Sequence, residues 1–418
     1  MTDPGRSPVT GRRCDACGEG TLVVFADLGE IPVLCGVHWA DQTEALASPS
    51  GRMTLAYCPA CAYVRNVTFD PARMVYDTTM DTNLHHSPSF QAFSAELVAH
   101  LTERFALAGS QVLDVGCGQG EFLRELCQHA GCTGIGYDAM YAGPTGPDPS
   151  GAVFHTGFAP RGDALPKYDV FTSRHWFEHL DDPYEFLVDL RQQAGDRLVH
   201  GYVEVPDACY DLATAGWEVI YPHVSYFDAY SLCRIFRRAG WRVEATGTYF
   251  SGMFRWIEVS NGGGGGRARE NRSAEPDREQ SPVASPPDTV PLPGLAARDR
   301  QLAAIRGFAA RHVAERDRWR SAIAAWAADG TRPVLWGAGS RSVQFLAAVD
   351  PQRRLSAVVD INPRKWGRHL PGGGHRVDPP ASLSTLQPRA VVITNPAYRD
   401  EIAASLGELG VSAELLVA

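Results

Sequence analysis

Val112-Leu113-Asp114-Val115-Gly116-Cys117-Gly118-Gln119-Gly120 is an apolar run that ends in a glycine-rich turn, and Glu121-Phe122-Leu123-Arg124-Glu125-Leu126 continues it as a helix. Strand, glycine turn and helix in that order open a doubly wound α/β domain, in which a nucleotide-like ligand lies over the carboxyl end of the first strand. Gly116, Gly118 and Gly120 have no Cβ, so a ligand can approach the backbone closely. About twenty residues on, Asp138 closes Gly134-Ile135-Gly136-Tyr137-Asp138, where a carboxylate can accept hydrogen bonds from a ribose diol.

NAD, FAD and S-adenosylmethionine sites all use such a turn. The acid inside it narrows the choice. Asp114 precedes the first glycine, where its carboxylate would repel a pyrophosphate. A sulfonium cofactor has no phosphate and carries a cationic amino-acid end, which an acid there accommodates. The cofactor expected is therefore S-adenosylmethionine, with Asp114, Gly116, Gly118, Gly120 and Asp138 on its side of the site.

Working outward, 418 residues suggest two or three domains. The net charge of −9 and the lack of a basic block argue against a nucleic-acid partner. No apolar run approaches the roughly 20 residues that span a bilayer, so no membrane partner is expected. Met1 to Arg13 is polar, with no secretory h-region. These features predict a cytoplasmic chain, whose paired cysteines are metal ligands before they are disulfides. The oligomeric state is not legible.

Residues 1–75 read as a small cysteine-bearing module. Residues 76–260 read as the cofactor domain, led by a helix carrying Phe90, Phe93, Leu97, Leu101 and Phe105. Its predicted strands are Gln111–Val115, Thr133–Tyr137, Tyr168–Ser173 and Leu198–Val205, then Arg242–Tyr249 and Met253–Val259 as an antiparallel finish. Residues 261–294, with five consecutive glycines followed by Ser-, Pro- and charge-rich sequence, read as a disordered linker. Residues 295–418 begin with one or two helices. A second strand–glycine turn–helix follows at Pro333-Val334-Leu335-Trp336-Gly337-Ala338-Gly339-Ser340, with later strands at Val358-Val359-Asp360 and Ala390–Thr394.

Cys14-Asp15-Ala16-Cys17 and Cys58-Pro59-Ala60-Cys61 are C-x-x-C knuckles. Each presents two thiolates to one tetrahedral ion, and four cysteines leave zinc no open position, so Cys14, Cys17, Cys58 and Cys61 predict a structural Zn2+ site. Free or redox thiols are the alternative. The six remaining cysteines read as small buried apolar side chains.

A methyl donor leaves the protein to orient the acceptor and, for a weak nucleophile, to supply a base. Candidates lie after the strands, in Arg174-His175-Trp176-Phe177-Glu178-His179-Leu180-Asp181-Asp182-Pro183, in Glu204-Val205-Pro206-Asp207 and in Tyr221-Pro222-His223-Val224-Ser225-Tyr226-Phe227. His175 directly follows a strand and can face cofactor or acceptor. Glu178 and His179 read as the start of a helix, where capping or packing competes with catalysis. Glu204 ends a core strand and is assigned to cofactor or substrate binding. His223 titrates near neutrality as an imidazole, which suits a general base, with a structural hydrogen bond as the alternative.

In order, these motifs resemble the sugar C-methyltransferases of deoxysugar biosynthesis, and the D-x-G-x-G-x-G turn resembles motif I of class I methyltransferases. The resemblance covers nearly the whole chain outside 261–293. It rests on Cys14/Cys17/Cys58/Cys61, Val112–Gly120, Arg174-His175 with Glu178-His179-Leu180, Glu204-Val205-Pro206, His223-Val224-Ser225-Tyr226-Phe227, and Trp336–Ser340 with Asp360-Ile361-Asn362-Pro363. It implies an α/β fold: a class I methyltransferase Rossmann-like core, an N-terminal zinc-binding module and a second Rossmann-like domain at the C-terminus. It further implies C-methylation beside the carbonyl of a nucleotide-linked keto-deoxysugar in secondary metabolism, through an enolate. His223 matches the family's general base, and His175 a histidine that helps with the enolate. Gly337, Gly339, Ser340 and Asp360 would hold part of the nucleotide-sugar. The chain departs from that family where Pro222 stands for the usual glutamate and Ile220 for a frequent tyrosine. An O- or N-methyltransferase, or a cofactor-binding scaffold without catalysis, are the other readings.

Overall fold

The computed structural model describes residues 9–77, 79–262 and 293–418, and most of the segment read as a linker at 261–294 lies outside them. Among the described residues the strands form three sheets. The first holds β1 (Val9–Arg13), β2 (Thr21–Pro32), β3 (Ser50–Tyr57) and β4 (Val64–Asn66), paired antiparallel in that order, with helix α1 (Gln42–Leu46) between β2 and β3. In β3, Gly51, Met53 and Leu55 turn inward while Ser50 and Arg52 stay exposed, the period-two alternation of a strand with one wet face. The β1–β2 and β3–β4 turns lie side by side because Val23 pairs with both Val9 and Tyr57. Those two turns are the C-x-x-C knuckles.

Helix α2 (Pro88–Arg104) is capped by Ser87, whose Oγ accepts from the Phe90 amide at 3.2 Å. It buries Phe90, Phe93, Leu97 and Leu101 against α3 (Glu121–Ala130) and its surroundings. The second sheet contains β5 (Gln111–Val115), β6 (Thr133–Asp138), β7 (Gly146–Pro147), β8 (Ala152–Thr156), β9 (Val170–Arg174) and β10 (His200–Pro206). Helices α4 (Pro183–Ala194), α5 (Ala208–Ala213) and α6 (Ala229–Arg238) follow, with β11 (Ser225–Tyr226) between the last two, and then β12 (Arg242–Tyr249) and β13 (Phe254–Ser260). The strand order is β12-β13-β10-β9-β5-β6-β8-β7, parallel from β10 to β8 and antiparallel at both edges. Strand β8 had no clear signal in the sequence, since it is short and ends on exposed His155 and Thr156. Gly201, the second residue of β10, faces Phe171 of β9, and a Cβ there would overlap the buried ring. We expect Gly201→Ala to cost about 1–3 kcal/mol through overpacking, read as a lower denaturation midpoint at unchanged m.

Strand β11 leaves this sheet and completes the first one, with Ser225 opposite Arg65 and Tyr226 opposite Val64. The N-terminal sheet therefore grips the segment that carries His223.

The expected one or two C-terminal helices are one, α7 (Leu295–Asp329), which packs Phe308 against Phe25 of the first sheet, ring centroids 6.1 Å apart. After it come β14 (Val334–Trp336), α8 (Ser340–Val349), β15 (Ala357–Val359), β16 (Val377–Asp378), α9 (Leu383–Leu386), β17 (Ala390–Ile393), α10 (Arg399–Glu408) and β18 (Glu414–Val417). Their parallel sheet has the order β16-β15-β14-β17-β18. Trp39 and His369 exchange backbone hydrogen bonds of 2.9 and 2.7 Å, which ties the first sheet to the third. No helix among the described residues is long and apolar enough to cross a membrane.

Candidate active site

A cavity of about 460 Å³ runs from the β5 turn, past the ends of β9 and β10, to the β14 turn. Its walls come from the strand ends and turns of the second and third sheets, from Cys35 and Gly36 after β2, and from the 80–87 segment, where Asn83 donates to Glu121 at 2.8 Å and Ser87 donates to Glu401 at 2.7 Å.

At the β5 end the three glycines differ in what they do. Gly116 has φ +81°, and a Cβ there would overlap the Trp176 indole. Gly120, the left-handed N-cap of α3, abuts Phe154 and does not line the cavity. Gly118 has φ +57° and open space where a Cβ would stand, on the cavity side. It is the position that a bound cofactor would press against. Its amide donates to Asp138 at 2.8 Å, and the Met140 amide donates to the same carboxylate at 2.7 Å. Asp114, 2 % exposed, accepts from the Thr172 hydroxyl at 2.7 Å, and burial pushes its carboxyl up to about 6. A glycine cradle, a ribose-facing acid and a buried acid in the turn fit an adenosyl sulfonium without phosphate. We expect Gly118→Ala to weaken S-adenosylmethionine at least tenfold in a calorimetric titration, because the methyl group fills the cradle and the backbone is left-handed.

Glu204 does not face the cavity, contrary to its assignment as a cofactor contact. It is fully buried, and its carboxylate is taken up by Arg174 Nε at 2.9 Å, Tyr202 Oη at 2.7 Å and Tyr249 Oη at 3.0 Å. It holds Arg174, whose Nη2 is buried without a partner and which does line the cavity. Arg174 is thus a donor available to an anionic end of a ligand, a role the sequence does not assign within its candidate segment because its pairing spans 30 residues.

Three histidines line the acceptor end. His175 sits in left-handed backbone at φ +52°, with Nε2 2.9 Å from Tyr249 Oη. Such strain in a non-glycine residue gathers at functional sites. Glu178 and His179 do not begin a helix. They lie in a three-residue 3-10 turn, Phe177–His179, and α4 starts only at Pro183, where the fixed φ of a first-turn proline suits a helix start. Glu178 is buried with neither carboxylate oxygen partnered, and burial raises its carboxyl well above the usual range. His223, 4 % exposed, places Nε2 3.9 Å from Glu178 Oε1. The Val224 amide donates to the Glu178 carbonyl at 2.9 Å, fixing the two segments together.

Gly337, Gly339, Ser340 and Asp360 line the opposite wall. Asp360 accepts from the Ala338 amide at 2.7 Å and from Lys365 Nζ at 3.1 Å, which repeats the bond between Asp138 and the Gly118 amide. Arg341, the next residue after Ser340, is partly buried, pairs with Glu218 and lies 3.7 Å from Asp211. Arg341 follows the Trp336–Ser340 motif and Lys365 lies two residues beyond Asp360–Pro363, yet neither carries a sequence signal of its own. Glu218 and Asp211 carried no signal.

The four thiols Cys14, Cys17, Cys58 and Cys61 are buried, and their Sγ atoms all lie within 4.8 Å of one another. The Cys14–Cys61 and Cys17–Cys58 pairs are 3.5 and 3.6 Å apart. A tetrahedron with metal–sulfur bonds of about 2.3 Å has edges of about 3.8 Å, so the donor set fits zinc. Gly20 is needed beside it, because a Cβ there would overlap Cys58 Sγ.

Burial holds the imidazole of His175 down to about 4 and those of His179 and His223 down to about 3, with Glu204 opposing at His175 and the Pro222 carbonyl at His179. Unfolded imidazoles titrate near 6.5, so the unfolded chain takes up protons first as pH falls. Stability from these three residues is complete above about 6.5 and declines below it, by up to about 1.4 kcal/mol per pH unit for each imidazole. Urea midpoints between pH 7.5 and 5 check this, and His223→Gln should flatten the slope by one proton.

Residues 90–246 match the model of a methyltransferase domain, and residues 296–414 match that of a C-methyltransferase C-terminal domain. No curated protein matches the chain. Solved structures similar in part include an S-adenosylmethionine-dependent methyltransferase from Mesorhizobium loti (16% identity, 40% of this chain and 97% of that one, TM-score 0.32). Another is magnesium protoporphyrin IX methyltransferase from Synechocystis PCC 6803 with bound SAH (18% identity, 41% and 83%, TM-score 0.32). A third is a SAM-dependent methyltransferase from Archaeoglobus fulgidus (18% identity, 43% and 100%, TM-score 0.33).

Proposed function

We propose that this S-adenosylmethionine-dependent methyltransferase, which carries a C-methyltransferase C-terminal domain at 296–414, methylates the carbon next to the carbonyl of a nucleotide-linked keto sugar. The observation that carries the reading is the single cavity with a glycine turn at each end and histidines between them. Asp360 and the Ala338 amide repeat the arrangement of Asp138 and the Gly118 amide, which suits a second nucleoside, and Ser340 opens α8 where a helix N-terminus receives phosphate.

S-adenosylmethionine, when bound, supplies an electrophilic methyl group. Asp138 and Gly118 would hold its adenosyl part, and Arg174 Nη2 its carboxylate. His223 is neutral at physiological pH and takes the proton from the carbon beside the carbonyl, leaving the electron pair as an enolate. Arg341, held by Glu218, keeps a fixed positive charge at the cavity wall, and His175, oriented by Tyr249, helps position the enolate oxygen. The four cysteines hold a structural zinc that has no part in this chemistry.

The test is incubation with labelled cofactor and a panel of nucleotide-linked 4-keto sugars in deuterated water. Deuterium uptake at the carbon beside the carbonyl without turnover, and label transfer to that carbon with it, are the expected results. Failure of every nucleotide-sugar to bind at about millimolar concentration removes the sugar from the reading.

A further inference from the structure

The acceptor end contains polar atoms that proton transfer does not account for. Glu178 is 1 % exposed, with both carboxylate oxygens unpartnered, and His223 has a buried, unpartnered Nδ1. His179 Nδ1 stands 2.9 Å from the Pro222 carbonyl oxygen, which can only accept. Nδ1 therefore carries the hydrogen, and Nε2 keeps its lone pair, the way a backbone carbonyl prepares a metal-binding imidazole. The His179 and His223 rings are 4.9 Å apart at 75°, and one donor atom from each of Glu178, His179 and His223 lies within 4.8 Å of the others. Among the described residues, this group and the four cysteines are the sets of three or more ligating side chains brought together in this way.

We propose that Glu178, His179 and His223 form a second metal site, for a divalent transition cation, and that filling it stops His223 from accepting a proton. Two imidazoles and one carboxylate select zinc, cobalt or nickel over magnesium or calcium. Bond lengths of about 2.0–2.2 Å require the donors to draw together, and Glu178 can rotate inward without breaking a hydrogen bond. The remaining coordination positions open into the cavity. A cation there binds the unpartnered Glu178 carboxylate, and it takes the His223 lone pair. The blocking half rests on the base role given to His223 above; the site itself does not.

Full-length protein with its cysteine site filled by zinc is titrated with Co2+. One further equivalent is expected, with the weak visible bands of nitrogen and oxygen ligands and no near-ultraviolet thiolate band. Glu178→Gln and His179→Asn should each weaken it by more than about 100-fold, beyond what loss of an outer hydrogen-bond partner does. No second equivalent on the native protein, a thiolate band, or unchanged affinity in both variants overturns the site. Deuterium exchange into the keto sugar should fall in proportion to Co2+ bound, and exchange that continues at full occupancy overturns the blocking. If the native protein exchanges no substrate at all, the sugar reading falls while the titration still decides the site.

Discussion

Emptying the zinc site proposed at the four cysteines, by chelation or by Cys58→Ser, is expected to abolish proton exchange at the acceptor carbon while cofactor binding survives. The route is structural. Cys58 and Cys61 form the turn before β4, where the Cys58 amide donates to the Tyr63 carbonyl at 2.8 Å. Strand β4 pairs with β11, the Asn66 amide donates to the Val224 carbonyl at 2.9 Å, and the Tyr63 and Ser225 hydroxyls lie 2.7 Å apart. Arg65, 2 % exposed, joins Asp15 of the first knuckle to Asp181 of the loop after Glu178 and His179. A metal-free knuckle thus loosens both segments that flank the acceptor. Binding energy at structural zinc sites is folding energy, about 10–16 kcal/mol in isolated fingers, and a loss on the order of 5 kcal/mol is expected in this larger, partly self-supporting domain. Calorimetry should show a separate low-temperature transition, with Gly118 and Asp138 still binding S-adenosylmethionine. Metal-free protein that melts within about 2 °C of the native and exchanges deuterium normally would refute this.

Local chemistry made much of this protein legible from its sequence. The turn at 116–120 and the knuckles at 14–17 and 58–61 each complete their signal within nine residues, and the structure has strand, turn and helix at the first and a strand on either side of each knuckle. Long-range pairing was not legible. Glu204 lies within β10, two residues before its end, and Tyr202, Tyr249 and Arg174 consume its carboxylate. Glu178 resembled a helix-start acid, yet an Asp-Pro pair four residues later moves the helix start away and leaves the acid buried. β11 is two residues long and belongs to a sheet whose other strands end at Asn66, so no periodicity announces it. Arg341 meets Glu218 across 123 residues, a distance over which only the folded chain carries information.

Replacing His223 should give the largest catalytic loss, about 10²–10⁴-fold in deuterium exchange for His223→Ala, the range expected for a removed general base. The pH profile separates this role from a packing role. An exposed imidazole base loses half its activity near pH 6.5 as it protonates. Burial holds His223 down to about 3, with His175 and Arg341 adding to the effect, so the neutral form persists through mildly acid solution. Exchange per folded native molecule is therefore expected to stay flat from pH 8 to about 5.5, with no limb near 6.5. Cofactor affinity should move little in the variant, because the cradle is built from Gly118, Asp138 and Arg174 on other strand ends. A His223→Gln variant fills the same space and tests packing separately: it should restore stability and leave exchange as slow as His223→Ala. Exchange within about fivefold of native in both variants would take the proton away from His223 and return the search to His175 and His179, the other imidazoles on the same wall.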